Sequence, residues 1–154
     1  MAVATLPVIL RPSADEDRAF LFRVYASTRW EELEAVPWTA EQKEAFLHQQ
    51  FEAQDSDYRR NYEEASFDVI ELAGEPVGRL YVDRRTDDIR VVDISLLPEH
   101  RGAGIGTRLL SELLEEGART NKRVSIHVET HNPARRLYER LGFTPRATFV
   151  AARR

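Results

Sequence analysis

"IRVVDISLLPEHRGAGIGTRLL" (residues 89–110) runs from an apolar, β-branched stretch through a loop with glycine at alternate positions (Gly102, Gly104, Gly106) into a helical periodicity. The chain holds only seven glycines, so three in one short loop need a cause. Glycines between a strand and a helix let the backbone approach a ligand closely and aim successive N–H groups at it. The helix N-terminus adds the positive end of its dipole, which suits phosphate or pyrophosphate, and Arg101 and Arg108 can add fixed charge. The same stretch predicts the architecture. Ile105, Leu109, Leu110, Leu113 and Leu114 make one face of a helix from about Ile105 to Arg119, and "RVSIHV" (123–128) reads as the next strand. A strand–helix–strand unit of this kind is parallel and right-handed.

Upstream the pattern has period two. "FDVIELA" (67–73), "VGRLYVDR" (77–84) and "IRVVDISLL" (89–97) read as three strands, joined by the turns "GEP" and "RTDD". Connections so short require antiparallel pairing. Residues 3–10 form a first strand that Pro12 and Ser13 break. Ser13 with Glu16 offers a capping box for a helix through about Ser27, and Thr39 with Gln42 offers another for a helix carrying Phe46, Leu47 and Phe51. Between them lies "TRWEELEAVPW" (28–38). Downstream, "NPARRLYERLG" (132–142) reads as a short helix with Pro133 near its start and Gly142 past its end, and "FTPRATFVAARR" (143–154) supplies one last strand. The order is β-α-α-β-β-β-α-β-α-β. It describes a single α/β domain over residues 1–154, a mixed sheet with helices on both faces and a shortened C-terminal strand region.

Composition narrows the function classes. A chain of 154 residues, 42% hydrophobic and 31% charged, suits one soluble globular core. The absence of cysteine excludes disulfides, thiolate metal sites and a Cys nucleophile. The four histidines (His48, His100, His127, His131) show no ligand spacing, so no metal is expected. A net charge of −4 argues against nucleic acid as partner. Glu31, Glu32, Glu34, Asp55, Asp57, Glu63 and Glu64 crowd the first half, mostly as solvated faces, and would suit a cationic acceptor. "MAVATLPVIL" lacks a basic flank, and no apolar run reaches membrane-spanning length, so a cytoplasmic protein without membrane contact is expected.

The loop itself can be narrowed. A Walker A loop needs Gly-Lys-Ser/Thr, but Gly106 is followed by Thr107 and Arg108. A dinucleotide fingerprint fits Gly102 and Gly104 but meets Thr107 where the third glycine belongs, behind an antiparallel meander. Glu129 does stand where a ribose-binding acid would, which leaves that alternative open. The remaining pattern, Arg101-x-x-Gly104-x-Gly106, resembles the acetyl-CoA pyrophosphate loop of the GCN5-related N-acetyltransferase (GNAT) superfamily. "IHVETHNPARRLYERLGF" (126–143) resembles that family's β5–α4 signature through Asn132, Ala134, Leu137-Tyr138 and Gly142-Phe143. The similarity is detailed over residues 67–143. The helices within 13–66, which the resemblance makes the acceptor side, match in layout alone.

The resemblance implies an acetyl-CoA-dependent N-acetyltransferase, with acetyl-CoA as co-substrate. Main-chain N–H groups of Arg101, Gly102, Ala103, Gly104, Ile105, Gly106 and Thr107 would cradle the pyrophosphate. Leu96 and Leu97 would pair with the pantetheine arm, with Asn132 and Arg135 also on the cofactor side; Asn132 is equally a plausible N-cap before Pro133. An acceptor amine must be neutral to attack the thioester, so a proton acceptor is needed. Asp93, inside a strand, and Glu129 are the two candidates, although Asp93 reads equally as an exposed or salt-bridged strand residue. An N–H near Leu97 would face the developing oxyanion. Tyr138 stands where the family places the acid that protonates the departing thiolate. Trp30, Arg79 and Tyr81 would line the acceptor pocket for a small-molecule or protein amine. The family usually closes with two more strands after the last helix, but 12 residues follow Gly142, which implies a homodimer through the C-terminal edge. A non-catalytic acyl-CoA-binding module and a nucleotide-binding protein are the competing readings.

Overall fold

The computed structural model describes residues 7–126, 135–143 and 149–151. Strand β1 (Val8–Pro12) leads through a 3₁₀ turn (Asp15–Asp17) into helix α1 (Arg18–Arg29). A second 3₁₀ turn (Trp30–Leu33) precedes helix α2 (Ala40–Asn61). Strands β2 (Ser66–Leu72), β3 (Glu75–Arg84) and β4 (Asp88–Leu96) follow. Then come a 3₁₀ turn (Pro98–His100), α3 (Ile105–Thr120), β5 (Arg123–Ile126), α4 (Arg135–Arg140) and β6 (Phe149–Ala151). The strands form one sheet in the order β1-β2-β3-β4-β5-β6. Every neighbouring pair is antiparallel except β4–β5, which is parallel and joined through α3. The meander and the βαβ unit stand as the sequence predicts, and β6 supplies the last strand against β5.

Alternation along β2 shows the two layers. Val69 packs with Leu21, Tyr25, Leu33, Leu47 and Phe51, beneath α1 and α2. Its neighbour Ile70 points to the opposite face, into a core with Val77, Leu80, Ile89, Val91 and the α3 stripe Ile105, Leu109, Leu110 and Leu113. Helices thus cover both faces of a sheet whose central strands are buried, while Ile9 and Leu10 of the edge strand β1 stay exposed. Helix α3 packs close enough to β5 that a Cβ at Gly117 would lie 2.8 Å from the Lys122 carbonyl oxygen.

One predicted cap holds and one is replaced. Thr39 Oγ1 accepts the Gln42 N–H at 3.1 Å while Gln42 Oε1 accepts the Thr39 N–H at 2.9 Å, the reciprocal box that starts α2. The first helix does not use Ser13 and Glu16. The ladder continues through Pro12, paired with Asp68, and Ser13 N–H donates to Phe67 O at 2.9 Å. As the last residue of an edge strand, Pro12 sacrifices no needed donor. Asp17 takes over at the helix entrance because Arg11, from β1, holds its carboxylate at 2.8 and 2.9 Å, leaving Asp17 to accept the Ala14 N–H at 2.8 Å.

Candidate active site

The β4 strand is irregular where the site begins. Tyr81 faces Asp93, but Val82 faces Val91, so Val92 is an extra residue on β4. Such a bulge bends a strand and raises its twist. Beyond it, β4 stays tight against β3: a Cβ on Gly78 would lie 2.3 Å from the Ser95 carbonyl oxygen. No side chain fits there. The pairing runs one residue past β4, with Leu97 N–H donating to Val77 O at 2.9 Å. That bond corrects the expectation of a free N–H at Leu97. By ladder alternation, the Leu96 main-chain groups turn to the other edge instead. Leu96 O there accepts Arg101 Nε at 3.0 Å.

The glycines of the loop have separate causes. Gly102 and Gly104 sit at φ +76° and +88°, a region costly for residues with a Cβ. Gly104 is the N-cap of α3 and carries no side-chain cap, so the first N–H groups of α3 receive no side-chain partner there. Gly106 has no positive φ, and a Cβ there would meet nothing within 4 Å. Neither backbone conformation nor crowding explains this third glycine. Open space at the first turn of a 16-residue helix fits the close approach of an anionic group.

Arg101 does not join the cradle as expected. Its N–H donates to Pro98 O at 3.2 Å, closing the 3₁₀ turn. Its side chain bridges Leu96 O and, at 3.3 Å, Ser27 Oγ on α1, so it fastens the loop to both the sheet and the first helix. Arg108 lies 3.4 Å from Glu112 one turn further along α3.

Across the α2 face of β3 and β4 lies a polar cluster. Asp93 Oδ2 accepts Arg79 Nη2 at 2.8 Å and Tyr58 OH at 2.9 Å, and Asp93 Oδ1 accepts Ser95 Oγ at 2.8 Å. Arg79 Nη2 also donates to Gln54 Oε1 at 2.8 Å. Asp93 is thus the salt-bridged strand residue of the two sequence-level alternatives. Arg79 is only 3% exposed. Burial opposes its charge most strongly, but the Asp93 carboxylate together with the Tyr81 and Tyr58 phenols outweighs this and raises its pKa. Burial, then the negative Asp93, lifts the Tyr58 phenol well above its ordinary value. Tyr81, opposite Asp93, is buried with its phenol raised chiefly by desolvation. Gln54 and Tyr58 were not singled out from sequence, although residues 47, 51, 54 and 58 fall on one helical stripe that begins with Leu47 and Phe51.

Tyr138 on α4 is 6% exposed and packs edge-on to Phe143, with ring centroids 6.1 Å apart. Burial, reinforced by the Asp93 charge, pushes its phenol up to about 12, so it stays protonated throughout the physiological range. Trp30 and Trp38 lie in the α1–α2 connection, both exposed, with Trp38 edge-on to Phe46. Trp30 is exposed, whereas Arg79 and Tyr81, with which it was grouped, are buried. Glu129 and Asn132 lie outside the described residues, as does the side chain of Arg135.

The model of the acetyltransferase (GNAT) family matches residues 14–143. A Bacillus subtilis protein named as a putative [ribosomal protein bS18]-alanine N-acetyltransferase is 30% identical over 111 residues, spanning 71% of this chain and 66% of that protein. A GCN5-related N-acetyltransferase from Rhodopseudomonas palustris shares the fold with a TM-score of 0.66 and 20% identity, covering 99% of this chain and 98% of its own. The PaiA N-acetyltransferase of Thermoplasma acidophilum, solved with coenzyme A, gives 0.64 at 17% identity, covering 94% and 96%. The chain belongs to the acetyltransferase (GNAT) family.

Proposed function

We propose that this chain, acting as one domain over residues 1–154, transfers an acetyl group from acetyl-CoA to an amine. The observation that carries the reading is the loop before α3. Two of its glycines serve the turn, while Gly106 leaves open space beside the uncapped helix start. The N–H groups from Gly102 to Thr107 hold the pyrophosphate, and the edge of β4 at Leu96 receives the pantetheine arm. When bound, acetyl-CoA supplies an acyl thioester that a neutral amine can attack. Tyr138, kept protonated by its burial, gives a proton to the departing thiolate. The Leu96 N–H, turned away from β3, is the main-chain donor suited to charge that develops on the carbonyl oxygen. Helices α1 and α2 and their connection, with Trp30, form the acceptor side.

The similarity to a protein named as an alanine N-acetyltransferase makes a protein amino terminus the first acceptor class to test, with lysine and small amines beside it. The reading also takes the enzyme to work in the cytoplasm as a homodimer. Two measurements test it. Acetyl-CoA and CoA should raise the melting temperature where NAD and ATP do not. Thiol release should then appear with an Ala-initiated peptide or another amine. A shift with NAD or ATP alone sinks the reading; a shift with acetyl-CoA but no turnover across a broad acceptor panel favours the non-catalytic module.

A further inference from the structure

Asp93 is held by three donors from three directions. Arg79 comes from β3, Tyr58 from α2 and Ser95 from its own strand, at 2.8, 2.9 and 2.8 Å. Both carboxylate oxygens are therefore engaged. To accept a proton from an amine, Asp93 would have to give up the charge that matches Arg79, a guanidinium only 3% exposed. Leaving a buried charge uncompensated is strongly unfavourable.

The cluster is also a poor device for stability. Among the described residues, Arg79 Nε and Tyr81 Oη are buried with no hydrogen-bond partner. Buried ion pairs often contribute less than the apolar residues that could replace them. What such a cluster does provide is a single arrangement of the elements it joins. Its members come from α2 (Gln54, Tyr58), β3 (Arg79) and β4 (Asp93, Ser95). Asp93 directly follows the bulged Val92, at the point where β4 turns towards Leu96 and the glycine loop.

We propose that Asp93 is a positioning residue and not the proton acceptor, and that Tyr58 and Arg79 act through it to lock the bulged segment of β4 against α2. The proposal rests on the acyltransfer reading above. Through this contact, the helix on the acceptor side sets the course of the strand edge along which the two substrates meet. The proton of the amine then leaves by another route, through water or another carboxylate.

Tyr58→Phe is the leading test, because it removes one donor and leaves the Arg79–Asp93 pair intact. It should lower kcat about 5–20-fold, the effect of one lost hydrogen bond on alignment, with the KM for acetyl-CoA within about twofold. The pH dependence of kcat/KM should keep its midpoints. Amide exchange across residues 92–96 should quicken. Asp93→Asn should lower kcat to a similar degree with the acid limb of the profile unmoved, and the double variant should be no worse than Asp93→Asn alone. If Asp93→Asn costs more than about 10³-fold and erases the acid limb while Tyr58→Phe behaves as wild type, Asp93 is the base and the proposal is overturned. Faster exchange in Tyr58→Phe with unchanged turnover also overturns it, since the contact would then be structural alone. Should Asp93→Asn fail to fold, the Tyr58→Phe kinetics and exchange decide by themselves. Wild-type protein that releases no thiol with any amine sinks the acyltransfer reading instead, and this proposal with it.

Discussion

Gly104→Ala and Gly106→Ala should move the protein in opposite directions, although the two residues stand two positions apart in one loop. At Gly104 the backbone has φ +88°, and a Cβ there would touch nothing, so the cost is conformational and not steric. An L-residue in the left-handed region costs about 1–2 kcal/mol. In a domain of this size each kcal/mol moves the melting temperature by about 2–4 °C, so Gly104→Ala should melt about 2–8 °C lower. Gly106 lies inside α3 without positive φ and with free space around it. Alanine there restricts the unfolded chain and suits the helix, which should stabilise by about 0.5 kcal/mol or slightly more and raise the melting temperature by 1–3 °C or so. Relieving the strain at position 104 rotates the N–H groups that the proposed reading turns to the pyrophosphate. Losing one charge-assisted bond of about 1.5–3 kcal/mol weakens CoA about 10- to 100-fold. Gly106→Ala leaves those groups aligned, but its methyl enters the open space that the anion would occupy, so it should weaken CoA with no loss of stability. Differential scanning fluorimetry without ligand and calorimetric titration with CoA measure both quantities. Equal falls in melting temperature, or a Gly104→Ala protein that binds CoA as wild type does, would refute the assignment of separate roles.

Tyr138→Phe should lower kcat about 10²-fold if the phenol is the general acid, and unchanged turnover defeats that role. Because folding raises this pKa from its ordinary 10 to about 12, the stability it contributes is present below pH 10 and lost as pH climbs towards 12. Denaturant titrations of the Phe variant should lack that alkaline loss. Asp17 has the opposite sign: its bonds to Arg11, opposed in part by burial, hold its carboxyl at about 2, so its contribution is present above about pH 4 and lost as pH falls towards 2. With Arg11 partly exposed, Asp17→Asn should cost on the order of 1 kcal/mol at pH 7, and the gap from wild type should close in acid. Gly78→Ala should be the most damaging small change, about 2–3 kcal/mol by chemical denaturation, because the clash is with a backbone oxygen 2.3 Å away. Light scattering at high concentration should give twice the chain mass if the β6 edge pairs two copies, and a monomer removes that idea.

The features legible in the sequence were those set by short-range pattern. Period-two runs with tight turns dictated the meander, and glycine spacing before the Ile105–Leu113 stripe marked the βαβ unit and its loop. Thr39 and Gln42 were legible because a capping box needs only its own four residues. Ser13 misled because its rival depends on Arg11, which reaches Asp17 from β1. The engaged Leu97 N–H followed from a register that no local pattern encodes, since Val77 lies on another strand. Two partners of Asp93 were hidden for the same reason, Tyr58 coming from α2 and Arg79 from β3, whereas Ser95 lies two residues along the same strand. A carboxylate inside an apolar strand announces that a partner exists. It does not say whether the partner is a proton or a guanidinium.

This difference explains why the cofactor side of the site is easier to recognise than its acceptor side. In the proposed reading the loop binds through main-chain groups, and main-chain geometry is imposed by glycines and a helix start that leave a local trace. The acceptor side, as proposed, is built from side chains on α1, α2, β3 and β4, each constrained by neighbours remote in sequence. Strand β4 belongs to both. It bonds β3 as far as Leu97, meets α2 through Asp93, and at Leu96 O receives the arginine that heads the glycine loop. Arg101 in turn reaches Ser27 on α1. A change at either side can therefore reach the other through β4 or through the Arg101–Ser27 contact. Kinetic coupling between substitutions at Tyr58 and at Arg101, beyond the sum of their separate effects, is the signature expected of that shared strand.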